Sequence, residues 1–237
     1  MKKMFCVLSI AMTFCAACAG VSFAASAEGI IQEALAALTE MSKQDDAHSM
    51  AKTLSGAHAV AIVPSFVKAG FVLGGSYGEG LILKRENGKW YGPSFYNIGG
   101  GSIGLQLGVQ DTSLVLVVIN ELGVEAFLSS KTKLGGDLSV AAGPVGRSAQ
   151  AATDAQLKAS IYSYSMSRGL FAGVSLDGSV ISVSVKRNEE YWKGHGKKAD
   201  KDGDGKVSAK EALTVSATDK RITPLTKALD AFIKKAK

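Results

Sequence analysis

Between Phe71 and Gln110 the chain interleaves β-forming residues with glycine so densely that few folds can accept it. Phe71–Leu83 carries Gly74, Gly75, Gly78 and Gly80, and the next such run carries Gly99, Gly100, Gly101, Gly104 and Gly108. Glycine weakens a strand interior, so it persists there where a sheet must bend or where another backbone must come close. Further strand candidates surround these runs: Ala59–Val63, ended by Pro64, then Trp90–Ile98, Gly101–Gln110, Leu114–Asn120, Leu134–Ala142, Ala159–Tyr164, Leu170–Leu176 and Ser179–Lys186. Glu86-Asn87-Gly88 and Asp177-Gly178 read as hairpin turns. The expectation is an α+β fold. Its Gly-rich, mostly antiparallel sheet is strongly curved or closed into a barrel, with helices at the N-terminal and C-terminal ends.

Ala27–Met41 places Ile30, Ile31, Ala34, Leu35, Leu38 and Met41 at helical spacing. A short second helix is expected over His48–Leu54, stopping at Gly56. Glu121–Ser130 reads as another helix, and Thr223–Lys237 as a last one with Leu225, Ala228, Leu229 and Phe232 on one face. Lys234, Lys235 and Lys237 in its final turn suit the helix dipole. The first helix carries Glu28, Glu33 and Glu40, which fits packing on the core better than lying on a membrane surface.

Asp200–Glu211 fits the EF-hand calcium loop at each diagnostic position. Asp200, Asp202 and Asp204 offer carboxylates, Lys206 offers its backbone carbonyl, and Glu211 can bind through both oxygens. Gly205 stands where the loop turns sharply, Val207 is the apolar anchor, and Ser208 can hold a ligand water. Ca²⁺ is the implied ion. Ser208-Ala-Lys-Glu211 is also a capping box, so a solvated turn ahead of a helix is the competing reading. The loop is single, and Trp192-Lys-Gly-His-Gly196 before it is poor helix.

Lys2 and Lys3, the apolar run Met4–Ala19 and the small residues after it read as a secretory signal peptide over 1–24. Ser22-Phe-Ala24 and Ala25-Ser-Ala27 both fit the cleavage rule. Ala16-Ala-Cys18 is a partial lipoprotein box, a second route that would anchor the chain through Cys18. A periplasmic or secreted location is expected. All three cysteines lie in this leader, so the mature chain would hold no disulfide and no thiolate site. The formal charge of +6 falls to +4 once Lys2 and Lys3 leave. That mild excess, without an arginine cluster, suits an anionic lipid surface better than nucleic acid. Gly99–Gly104 matches a dinucleotide fingerprint on paper, but the run continues as a strand and opens no helix, so no nucleotide is expected.

Several blocks resemble the SYLF domain: Val63-Pro-Ser-Phe-Val-Lys-Ala-Gly-Phe71, Gly74–Gly80, Gly100–Gly108, Ala141–Arg147 and Tyr162–Gly178. The chain divides into helices in 25–56, a SYLF-like core in 57–192, and the loop with its helix in 193–237; the resemblance covers roughly residues 30–192. It implies a non-enzymatic, phospholipid-binding protein; some eukaryotic members bind phosphoinositides or actin, partners that an exported chain would not meet. The full calcium loop departs from the usual pattern of that family. Lys68, Arg147 and Arg168 are cations beside glycines, able to approach a phosphate closely, with solvated charges or internal ion pairs as the alternative. Phe66, Val67 and Phe71 flank Lys68 and could enter acyl chains or pack in the core. His48, His58 and His195 form no metal or triad pattern, and Glu79 reads as a barrel-mouth acid without an assigned partner. Two functional readings result: an exported lipid-binding module with a Ca²⁺ loop, and a Ca²⁺-stabilised envelope structural or interaction protein in which lipid plays no part.

Overall fold

The computed structural model describes residues 26–44, 47–144, 159–167, 170–171, 176–195 and 198–236; of 71–73, 102–107 and 170–171 only the backbone is described. Two helices come first, α1 (Ala27–Met41) and α2 (Ala47–Ser55). Ser26 caps α1 by accepting the Gly29 N–H, and of the predicted apolar stripe Ile30, Ile31, Ala34, Leu38 and Met41 are buried and Leu35 partly so.

Two very long strands come next, β1 (Ala59–Glu86) and β2 (Lys89–Val118), paired antiparallel as one ribbon. Asn87 (φ 50°) and Gly88 (φ 72°) close it as the left-handed two-residue turn that Asn-Gly favours. Pro64 does not end the first strand. It falls in the irregularity between Val63 and Phe66, where a residue without an N–H costs no ladder bond. The three segments expected separately over 90–120 are likewise one strand.

Among the described residues, β2 is the centre of a seven-stranded, strongly curled sheet that forms half a barrel. Its last residues, Ser113–Val118, pair with β5 (Ile161–Ser167), and Tyr96–Gly99 pair with β7 (Val180–Val183). β4 (Val140–Ala142) joins β5 in parallel, β6 (Leu170–Phe171) joins it antiparallel, and β3 (Thr132–Lys133) joins β7. Asp177-Gly178 is a turn leading into β7 and not the tip of a hairpin, since β7 pairs with β2 and β3.

β5 and β7 thus take different parts of the ribbon, while Gly100–Gly108 pairs, among the described residues, within the ribbon alone. The two ends of β1 come back together, with the Arg85 N–H donating to the His58 carbonyl at 2.7 Å. A Cβ on Gly78 would stand 2.7 Å from the Ser65 carbonyl oxygen, and one on Gly80 would run into the Ile62 carbonyl. Glycine is required at both places because backbone crosses backbone there.

Apolar side chains cover both faces of the curl. Val60, Ile62, Leu81, Leu83, Val115 and Val117 pack under α1, α2 and the last helix, α6 (Thr223–Lys234). Ala61, Val63, Ile82, Tyr96, Leu114 and Leu116 fill the inside together with α3 (Glu121–Leu128). Burial on both faces explains why Ala59–Val63 and Leu114–Val118 are continuous apolar runs without alternation. Two short helices complete the described chain, α4 (Val185–Trp192) and α5 (Ala209–Ala212). α4 replaces the tail of the strand expected over Ser179–Lys186, because its buried side is Arg187, Asn188, Tyr191 and Trp192 and shows no apolar period. No helix among the described residues is long and apolar enough to cross a membrane.

Candidate functional site

The acidic loop is built from short-range hydrogen bonds. Asp200 Oδ1 accepts the Gly203 N–H at 2.8 Å and its Oδ2 accepts the Gly205 N–H at 3.0 Å. Asp204 Oδ1 accepts the Lys206 N–H at 2.8 Å. Gly203 (φ 77°) and Gly205 (φ 85°) take left-handed backbone to make these turns. The result brings one carboxylate oxygen each from Asp200, Asp202 and Asp204 within 4.8 Å of one another. Three clustered hard oxygens, with Glu211 and the Lys206 carbonyl in the same loop, are a donor set suited to Ca²⁺.

Glu211 belongs to the loop and to the helix after it. Its Oε1 accepts the N–H groups of Lys201 (2.8 Å) and Asp202 (3.3 Å), and its Oε2 accepts the Ser208 N–H (2.9 Å) and hydroxyl (2.7 Å). The capping box is therefore formed, and loop and cap coexist. The Ser208 hydroxyl and N–H, then the Lys201 N–H, pull the Glu211 carboxyl down to about 2. The Lys206 side chain points away, its Nζ 3.6 Å from Glu189 on α4. Val207 packs against the helical core.

The loop has half the frame of an EF-hand. Among the described residues no α-helix leads directly into it, and α5 after it is a single turn. Its exit is tied to the start of β2: the Gly92 N–H donates to the Val215 carbonyl and the Ala217 N–H to the Trp90 carbonyl. Ahead of the loop, His195 Nε2 lies 3.1 Å from Asp219 Oδ2, and Arg221 Nε donates to Asp219 Oδ1 at 3.0 Å. Burial works against charge on Asp219, yet these bonds from Arg221 and His195 hold its carboxyl well below the usual range. The Arg221 guanidinium lies 4.1 Å over the Tyr191 ring, so this clamp ties both ends of the loop segment to α4.

Of the three cations, Lys68 lies in β1 opposite Gln110 and not in a turn. It is half-buried, its ammonium 5.5 Å from the Phe66 ring, and burial lowers its pKa. Phe66 is fully buried inside the curl, which assigns it to the core, whereas Val67 next to it and Val109 on β2 are exposed. Arg147 and Arg168 lie outside the described residues, as does the side chain of Phe71. Gly99–Gly104 lies inside β2.

Glu79 has partners that sequence spacing does not show. Its Oε2 accepts from Arg187 Nε at 3.0 Å, its Oε1 from the Tyr77 hydroxyl at 3.0 Å, and Arg187 also donates to Glu190. His48 lies 3.2 Å from the Lys235 carbonyl and His58 3.2 Å from Glu121.

A family model described as "Ysc84: Las17-binding protein actin regulator" matches residues 99–232, a span that includes the acidic loop and most of α6. The human SH3 domain-containing YSC84-like protein 1 is 37% identical over 148 residues, covering 62% of this chain and 42% of that protein. Protein YSC84 of Saccharomyces cerevisiae is 39% identical over 143 residues, 59% of this chain and 30% of its own length. An SH3 domain-containing protein of Schizosaccharomyces pombe is 41% identical over 138 residues, 56% and 32% of the two chains. The chain thus spans less than half the length of these curated relatives.

Proposed function

We propose that this chain, which belongs to the Ysc84 family, is an exported, non-enzymatic module that binds anionic phospholipid and holds one Ca²⁺ in residues 200–211. The clustering of the Asp200, Asp202 and Asp204 carboxylates is the observation that carries the calcium assignment. Those three, Glu211 and the Lys206 carbonyl are the proposed ligands. The bound ion would supply positive charge to neutralise four neighbouring carboxylates. The chain's own part is to hold those oxygens in place, through backbone N–H groups and the capping box.

The lipid reading is supported by the SYLF-like blocks, by the charge of +4 left after leader removal, and by Lys68 next to exposed Val67. Las17 binding and actin regulation stand in the family's description. For an exported chain the membrane surface is the partner we favour over either. A second reading has its own support: the loop's exit is tied to Trp90 and Gly92, so calcium would hold this segment against the sheet and serve stability alone.

Calorimetric titration of Ca²⁺ into the chelator-stripped protein, beside Asp200→Ala, tests the ion. Pelleting with anionic vesicles on the same samples tests the lipid. Heat is expected from the parent protein and none from Asp200→Ala, with pelleting by both if calcium only stabilises. Pelleting that vanishes with chelator would make the loop a switch. Calcium heat without pelleting would favour the structural reading, and absence of heat would remove the ion.

A further inference from the structure

We infer that removal of the leader spares Ser26 and Ala27, so that the cut falls after Ala24 and the mature chain starts at Ala25; this rests on the export reading above. Two small-x-small sites, ending at Ala24 and at Ala27, satisfy the peptidase equally. The first helix does not tolerate both cuts.

Ser26 is the N-cap of α1, its Oγ accepting the Gly29 N–H at 3.0 Å. Ala27 is the first helical residue and only 1% exposed, in the same core cluster as Ile30 and Ile31. The Ala27 N–H donates to Glu190 Oε1 at 3.1 Å, and the other oxygen of that carboxylate accepts from Arg187 at 3.0 Å. One anion therefore serves the positive end of α1 and joins it to α4.

A cut after Ala27 would remove the cap, a buried methyl group and the bond to Glu190 together. It would also set a free α-ammonium on Glu28, within the first turn, where the helix dipole is already positive. The Glu28 carboxylate, 3.5 Å from Arg221, would then be shared between two cations. A cut after Ala24 keeps every one of these contacts and leaves the new ammonium ahead of the cap.

The test is the intact mass and N-terminal sequence of the full chain recovered after export from a cell that has a leader peptidase. A start at Ala25 is expected. A start at Glu28 would overturn the inference while leaving export intact, and so would an acylated Cys18. An uncut Met1 would overturn it together with the export reading. Independently, chains released at Ala25 and at Glu28 are compared by thermal melting. The shorter chain is expected to melt roughly 5 °C or more lower, or to fail to fold. Equal melting temperatures would remove the structural basis of the inference.

Discussion

At the scale of single residues, two carboxylate sets make separate predictions. Arg187 has a side chain only 6% exposed and serves both Glu79 and Glu190. Arg187→Met leaves two acids facing each other without a cation. Water reaches both acids, so the cost falls below that of a fully buried pair, about 2 kcal/mol by urea denaturation. Glu211 makes the pH prediction. Its carboxyl titrates near 2 folded and near 4.5 unfolded, so its contribution is present above pH 4.5 and is lost as pH falls through 2. The gap in melting temperature between the parent chain and Glu211→Gln should stay constant above pH 4.5 and close towards pH 2. A gap that persists at pH 2 would mean that the cap does not depend on that charge. The Arg187–Glu79 bond is illegible in the sequence, since 108 residues separate its ends and nothing local marks them as a pair. The acidic loop is legible because all its carboxylates lie within one turn-forming run.

At the scale of elements, periodicity decides what can be read. α1 matches its expected bounds residue for residue, since its buried side is apolar at regular spacing. α4 escapes a periodicity search because arginine, asparagine and two aromatics fill its buried side, and Asn188 is satisfied there by Phe95 backbone groups. β1 runs past its expected end because its proline stands at an irregularity and not at a stop. The curl itself is legible in the glycines, and it yields a prediction with an internal control. A Cβ at Gly80 would strike the Ile62 carbonyl and stand 2.9 Å from Val63 and 3.0 Å from Tyr96. Gly80→Ala should cost about 2–4 kcal/mol. Gly101→Ala, in the same ribbon with nothing within 4 Å, should change stability by less than about 1 kcal/mol. Equal effects, measured by urea denaturation, would mean that the glycines serve flexibility and not close approach.

At the scale of the whole molecule, a mild net positive charge predicts weak, salt-sensitive attachment to anionic vesicles. Screening lengths shrink from about 10 Å at 0.1 M salt to about 3 Å at 1 M. Pelleting should therefore fall severalfold over that range, and neutral vesicles should retain little protein. Pelleting that ignores salt would point to apolar insertion through Val67 and Val109 in place of charge. The long ribbon has a consequence in time as well. Pairing Glu86 with Lys89 closes only the Asn87-Gly88 turn, whereas pairing Ala59 with Val118 closes the whole ribbon, and loop closure costs more as it lengthens. Assembly is therefore expected to zip outward from Asn87-Gly88. During refolding, pulse-labelled hydrogen exchange should find the amides of 81–98 protected before those of 114–118. Until that second half docks, the segments 59–63 and 114–118 wait as bare apolar strands, the part of this chain that a chaperone would have most reason to hold.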